Sequence, residues 1–340
     1  MNDIAIAPTI SILSGKQTVD LGYVRDKIYT RPDDIVIVAG TLVEGIGNRC
    51  SDFDIYVITG ERPRMSDVDM GRHHWVYNAD DNITTKKDGE VIQIFDYIDS
   101  GSLAWDVEYW TVGEVSELFD AMHRKYQDAL THTRNIPGLS YKVSGFLHRL
   151  FEAVPVQNEA QYRQLLKGIS REELCFMGFR QFIGGYPTFR DIKGCWLDND
   201  LQTALQVTRN YLTDQLFALT FAERLSNPNK KWLFKKLARL SPGNKPLAER
   251  YTELCFRGAR TDAAKRTWIL DAMRLIDDVF DAARLRLQQG DAFFSPETAL
   301  ALIEQERRTK DHPELERQLL FRRKIYQAGL PSCEELLTEA

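Results

Sequence analysis

The apolar positions change their rhythm once along the chain. Over the first 112 residues they gather in short runs rich in Val, Ile, Phe, Tyr and Trp. Ile35 to Ala39 is uninterrupted apolar sequence, as expected of a strand buried on both faces. Asp54 to Thr59 reads as the next strand and His73 to Tyr77 as a short one. Glu90 to Tyr97 and Leu103 to Val112 read as two more, joined by the hairpin connection Asp99-Ser100-Gly101-Ser102. Lys16 to Tyr29 fits a helix packed through Val19, Val24 and Ile28, and Pro32-Asp33-Asp34 supplies a turn after it. Residues 60–71 are polar and irregular.

The pattern shifts near residue 113. From Glu114 to the end there is almost no strand signal, and helices are predicted over 114–133, 139–154, 158–184, 201–224, 229–240, 246–257, 262–289, 296–308 and 313–328. Ser170 with Glu173 has the spacing of a capping box, and Ser295-Pro296-Glu297 places a cap before a first-turn proline. Asn227-Pro228, Ser241-Pro242-Gly243 and Gly290 break helices. The organisation expected is therefore a small α/β domain over 1–113 and a larger helical domain over 114–340.

Composition narrows the class. A chain of 340 residues, 43% hydrophobic and 27% charged, is long enough for two domains with their own cores. A net charge of -5 argues against general attraction to long nucleic acid. Five cysteines without a CxxC pair signal neither a disulfide framework nor a zinc site. The N-terminus lacks the basic start of a signal peptide, and no apolar run approaches the roughly 20 residues of a membrane span. A cytoplasmic protein is expected.

The chemistry concentrates between Ile35 and Thr59. A buried-type strand ends in Gly40-Thr41, a glycine-punctuated turn follows through Gly47-Asn48, and Ser51-Asp52-Phe53-Asp54 opens the next strand. Residues two apart on a strand share a face, so Asp52 and Asp54 repel each other unless a cation lies between them. A glycine lets the backbone approach a phosphate closely, and Thr41 adds a hydroxyl and an N–H. Further on, Trp105-Asp106-Val107-Glu108 offers two more acids on one strand face, either of which can complete a carboxylate triad. The alternatives are turn and strand-start acids for Asp52 and Asp54, and the solvated face of a hairpin for Asp106 and Glu108.

Strand, Gly-Thr, about ten residues, Asp-x-Asp and a later acid together resemble the nucleotidyltransferase superfamily of the DNA polymerase beta type. The chain is most similar within it to small-molecule adenylyltransferases with a helical C-terminal domain. The resemblance covers roughly residues 30–112, with Thr41 in place of the commoner Ser. It implies an α+β fold: a mixed sheet with flanking helices, then an all-helical acceptor or nucleotide-binding domain. It also implies an enzyme with Asp52, Asp54 and Asp106 as ligands of two magnesium ions, and Asp106 or Glu108 as the base. Gly40 and Thr41 would hold the phosphates of ATP or another nucleoside triphosphate. The acceptor implied is a hydroxyl of a small molecule, with transfer to protein or tRNA, or a non-catalytic antitoxin-like partner, as alternatives.

Other candidates are weaker. Arg49, just before the acids, can touch a phosphate or be an ordinary loop arginine, and the resemblance also implies Ser51 as a nucleotide-binding position. The segment 227–240, NPNKKWLFKKLARL, reads as a basic helix whose Lys231 or Lys235 can neutralise a triphosphate, or as an amphipathic helix with solvated lysines. His73-His74 has no partner spacing for a metal. Tyr186, Phe189, Arg190 and Trp196 form an aromatic-rich loop read as a plug between helices, and the charged tail from Glu304 as a solvated helical pair.

Overall fold

The apolar runs of the first third become the middle of a sheet. A computed structural model of the chain describes residues 9–12, 15, 17–63, 74–77, 91–98, 101–288, 293, 295–309 and 312–339. It contains β1 (Thr9–Ile12), β2 (Gln17–Asp20), α1 (Leu21–Lys27), β3 (Ile35–Ala39), β4 (Phe53–Thr59), β5 (His74–Tyr77), β6 (Val91–Ile98) and β7 (Gly101–Thr111). Then come α2 (Val112–Ala129), α3 (Tyr141–Glu152) and β8 (Val154–Gln157). The fold is α+β, as the resemblance implied: a mixed sheet followed by helices.

The chain divides into two units, residues 1–122 with 145–170, and residues 123–144 with 171–340. This differs from the composition change at 113, because the chain returns to the sheet after α3. Sequence VPVQ forms β8 and pairs antiparallel with β3 at the sheet edge, where Pro155 costs no ladder bond. Gln157 Nε2 donates to the carbonyls of Arg31 (2.7 Å) and Asp34 (3.0 Å), and Asn158 Nδ2 to those of Pro32 and Asp34 (both 2.8 Å). A four-residue strand pinned by side-chain amides has almost no local signature, which is why this stretch showed only as the gap between the helices predicted over 139–154 and 158–184.

The main sheet has the order β5-β6-β7-β4-β3-β8. Only the β4–β7 pair is parallel, and it aligns Asp54 with Asp106 and Tyr56 with Glu108. One sheet face carries Val36, Val38, Phe53, Ile55, Val57, Trp105, Val107 and Tyr109, buried against Leu21, Val24 and Ile28. The helix predicted over 16–29 is shorter. Residues Gln17–Asp20 pair with β1, with Val19 buried between exposed neighbours, and the Asp20 carboxylate caps α1 by accepting from Gly22 N at 2.8 Å. Of the remaining predictions, Lys16, His73, Glu90, Asp99, Ser100 and Gly290, with most of the irregular stretch 60–71, lie outside the described residues.

The second unit is helical. After α4 (Glu159–Leu165) in the first unit, it holds α5 (Arg171–Phe182), α6 (Tyr186–Leu197), α7 (Leu201–Ala222), α8 (Leu233–Leu237), α9 (Lys245–Phe256), α10 (Asp262–Leu287), α11 (Pro296–Thr309), α12 (Pro313–Tyr326) and α13 (Cys333–Thr338). The predicted 158–184 helix is two helices, parted by a tight turn at Leu166–Gly168. The aromatic loop is α6, entered through Gly184 and Gly185 at positive φ, with Phe189 buried against Phe321 at 4.7 Å. The charged tail is only partly solvated. Leu319, Phe321, Ile325 and Tyr326 lie in the core, and buried Arg322 meets Glu306 at 2.9 Å.

Packing around α5 and α7 is tight enough to forbid a methyl group. A Cβ at Gly178 would lie 2.5 Å from the Phe221 ring. Gly178→Ala is expected to destabilise the protein by about 1–3 kcal/mol, with partial recovery in Gly178→Ala/Phe221→Leu. Urea denaturation checks this, and an unchanged midpoint would contradict it.

Candidate active site

The sheet face opposite the Val-rich core carries the acids. Ala39 pairs with Asp54 and Ile37 with Tyr56, while β7 places Asp106 beside Asp54 and Glu108 beside Tyr56. Asp54, Tyr56, Asp106 and Glu108 therefore share one face, and Asp52 stands at its entry, exposed. Asp54 is buried at 6% exposure, and Asp106 and Glu108 are half-buried. The two candidates for a third acid differ in setting. Asp106 is level with Asp54, whereas Glu108 is one step further along and accepts a hydrogen bond from Trp110 Nε1 at 3.2 Å.

Gly40 ends β3 at a φ of +88°, and a Cβ there would fall 1.8 Å from Asp54 Oδ2. Backbone conformation and the carboxylate both require glycine. The Thr41 carbonyl then accepts from Ile46 N at 3.0 Å and Gly47 N at 2.7 Å, closing a compact turn. Ser51 Oγ accepts from Asn48 N at 3.0 Å, so its hydroxyl shapes the loop leading into β4, and Arg49 is exposed on that loop.

Helix α3 lies on this face and supplies residues that no sequence motif marked. Arg149 Nη2 is 3.2 Å from Asp54 Oδ1, and its guanidinium is 5.8 Å from the centre of the Tyr56 ring. Phe146 stacks on Trp110 at 4.3 Å and tilts against Tyr56 at 5.3 Å. His148 Nε2 meets Glu44 of the Thr41 turn at 3.2 Å. The i, i+3 spacing of Phe146 and Arg149 was the available signal, but nothing local says which surface that helix covers.

The electrostatics follow from this packing. Burial pushes the Asp54 carboxyl up to about 7; Arg149 opposes the rise, and Asp52, Asp106 and Glu108 reinforce it. Tyr56 is pushed far above its usual range by burial and then by Glu108 and Asp54. Its buried hydroxyl has no hydrogen-bond partner among the described residues.

An all-oxygen carboxylate set suits magnesium in kind. Among the described residues, however, no three His, Cys, Asp or Glu side chains converge as metal ligands. Asp54 instead has Arg149 at one oxygen and Gly40 at the other. Lys231 and Lys235 belong to the second unit, where both ammonium groups lie over the Trp232 ring, at 5.2 and 4.8 Å. The predicted basic helix is only Leu233–Leu237, preceded by a tight turn at Lys230–Trp232. Two of its cations are structural: Lys230 pairs with Asp214, and buried Lys236 donates to the carbonyl of Asn227 at 2.6 Å.

No family model matches the sequence, and no curated protein is similar to it. Among solved structures the chain aligns with a nucleotidyltransferase-like protein from Exiguobacterium sibiricum 255-15. Identity is 12%, coverage 82% of this chain and 86% of that one, and the TM-score 0.37. So distant a likeness carries no chemistry, which rests on this chain's own residues. No helix among the described residues is long and apolar enough to cross a membrane.

The raised Asp54 carboxyl makes a pH prediction for the metal-free protein. The folded group keeps its proton up to about 7, whereas an unfolded aspartate loses it near 3.8, so its contribution favours folding at low pH and is lost as pH rises between those values. In a chelating buffer, Asp54→Asn should gain about 2–3 kcal/mol relative to the parent between about pH 5 and pH 8. Urea unfolding at both pH values checks this, and parallel pH profiles would contradict it.

Proposed function

We propose that the chain is a nucleotidyltransferase that moves a nucleoside monophosphate, AMP from ATP in the first instance, to a hydroxyl of a small-molecule acceptor and releases pyrophosphate. The observation that carries this reading is the level placement of Asp54 and Asp106 on adjacent parallel strands, with Asp52 at the entry and Gly40 against the Asp54 carboxylate. Asp52, Asp54 and Asp106 are the residues to hold magnesium. A metal held there would lower the pKa of the attacking hydroxyl and offset triphosphate charge.

The protein side of the reaction divides among a few groups. Asp106 accepts the proton of the attacking hydroxyl, being level with Asp54 on the adjacent parallel strand, whereas Glu108 lies one step further along and accepts from the Trp110 indole. Gly40 and Thr41 present backbone N–H groups and a hydroxyl to the phosphates. Phe146, Tyr56 and Trp110 keep water from the inner side of the acid face, which strengthens charge interactions there. The helical unit, with Lys231 and Lys235, is assigned to nucleotide or acceptor binding.

A second reading has an observation in its favour. Asp54 is paired with Arg149, and no three-ligand group converges among the described residues, as expected of a nucleotide-binding partner without turnover.

Pyrophosphate release with magnesium and each of the four triphosphates separates the two. Metal-dependent release is expected, and Asp52→Asn/Asp54→Asn should lower it about a thousandfold, equivalent to about 4 kcal/mol of charge stabilisation. Unchanged release in that variant, or ATP binding indifferent to divalent metal, would overturn the transferase reading.

A further inference from the structure

We propose that the hollow between α6, α12 and α13 is a binding site for a medium-chain carboxylate, with Lys193 as the residue that pairs with its head group. The site lies wholly within the second unit and stands independently of the transferase reading.

Shape is the first argument. The hollow has a volume of about 300 Å³, at the lower end of the range for small-molecule pockets. Phe189, Phe321, Leu320 and Leu336 make its apolar floor, and Tyr186 tilts against Phe321 at 5.8 Å. Along α6 the lining runs from Tyr186 past Arg190 and Lys193 to Leu197, a stripe at helical spacing about 16 Å long. Leu197 is 54% exposed, so apolar surface continues to the open end. An elongated apolar hollow of this volume suits an alkyl chain better than a compact polar molecule.

Charge is the second. Arg190, Lys193 and Arg317 line the hollow against two acids, Glu314 and Glu339, in a chain whose net charge is -5. Glu314 is shared: Arg190 Nη1 donates to one oxygen at 3.0 Å, and Arg317 Nη1 lies 3.6 Å from the other. Glu339 is exposed beyond the end of α13. Lys193 is half-buried and has no ion pair or hydrogen bond among the described residues. A lysine can lay its stem on apolar surface and lift its ammonium into water. A half-buried ammonium on an apolar wall gains more from an anion than from partial hydration. A carboxylate beside Lys193 and Arg190, one helical turn apart, with its chain over Phe189 and Phe321, meets the demands of wall and floor together.

Preorganisation is the third. Phe321 is fixed between Phe189 at 4.7 Å and Phe280, edge-on at 6.1 Å. The floor is therefore built before any ligand arrives, and binding orders little of the protein.

Isothermal titration of decanoate into the full chain at neutral pH tests the site, with one saturable site expected. Lys193→Met keeps the apolar stem, removes the charge and should weaken decanoate about tenfold. Lys193→Arg should stay within about twofold of the parent. Leu197→Asp, at an exposed position that leaves the core untouched, adds a negative charge at the open end and should weaken decanoate about fivefold. Decanol, which has the chain without the charge, should bind the parent and Lys193→Met alike. Absence of saturable decanoate binding, or equal decanoate affinity in the parent, Lys193→Met and Leu197→Asp, would overturn the proposal. A dimer in size-exclusion chromatography that Leu197→Asp dissociates would give the hollow to a second copy of the chain and overturn it too.

Discussion

A carboxylate buried among other carboxylates has to be balanced by something, and Asp54 imposes that demand on the whole first unit. It sits on the middle strands of the sheet, 6% exposed, beside Asp106 and within the field of Asp52 and Glu108. The neighbouring backbone must be glycine, since any Cβ at residue 40 would occupy the space of its Oδ2. Its other oxygen requires a cation, and the chain provides one by sending α3 back over the acid face. The same return runs into β8, which closes the edge beyond β3. Acid, glycine turn, covering helix and edge strand are thus one arrangement, and each part explains why the next is there.

Legibility in the sequence follows the range of the interactions. The Ile35–Ala39 strand, the Gly40 turn, the strand opening at Asp54 and the strand carrying Asp106 and Glu108 were readable because period-two alternation and glycine geometry are local properties. The choice between Asp106 and Glu108 was not, because it depends on the register of two strands separated by two others in sequence. Arg149 was invisible for the same reason: a helix sequence shows a face but not the surface it meets. The edge strand VPVQ is too short to carry a pattern and is fixed by Gln157 and Asn158 reaching carbonyls far back in the chain. Lys231 and Lys235 were correctly seen as a basic, Trp-centred segment, but its helix is a single short turn-and-a-half and two neighbouring lysines serve the fold.

The two functional readings differ in what balances Asp54 in the working protein. Asp52, Asp106 and Glu108 act against a charge on Asp54 and Arg149 acts for it, an expensive arrangement to bury in a site with no use for a cation. A partner protein without turnover would be under no such constraint, since replacing one acid by an apolar residue would relieve it. The gathering of Asp54, Asp106 and Glu108 on one face with Asp52 at its entry is the reason to favour a site that meets a divalent cation.

The most direct test is the titration of Asp54 itself, followed by carboxyl carbon NMR with and without magnesium. If burial and the neighbouring acids outweigh Arg149 until metal binds, Asp54 titrates near 7 in the metal-free protein and falls below about 5 when magnesium is added. A value near 3.8 that magnesium leaves unmoved would contradict it.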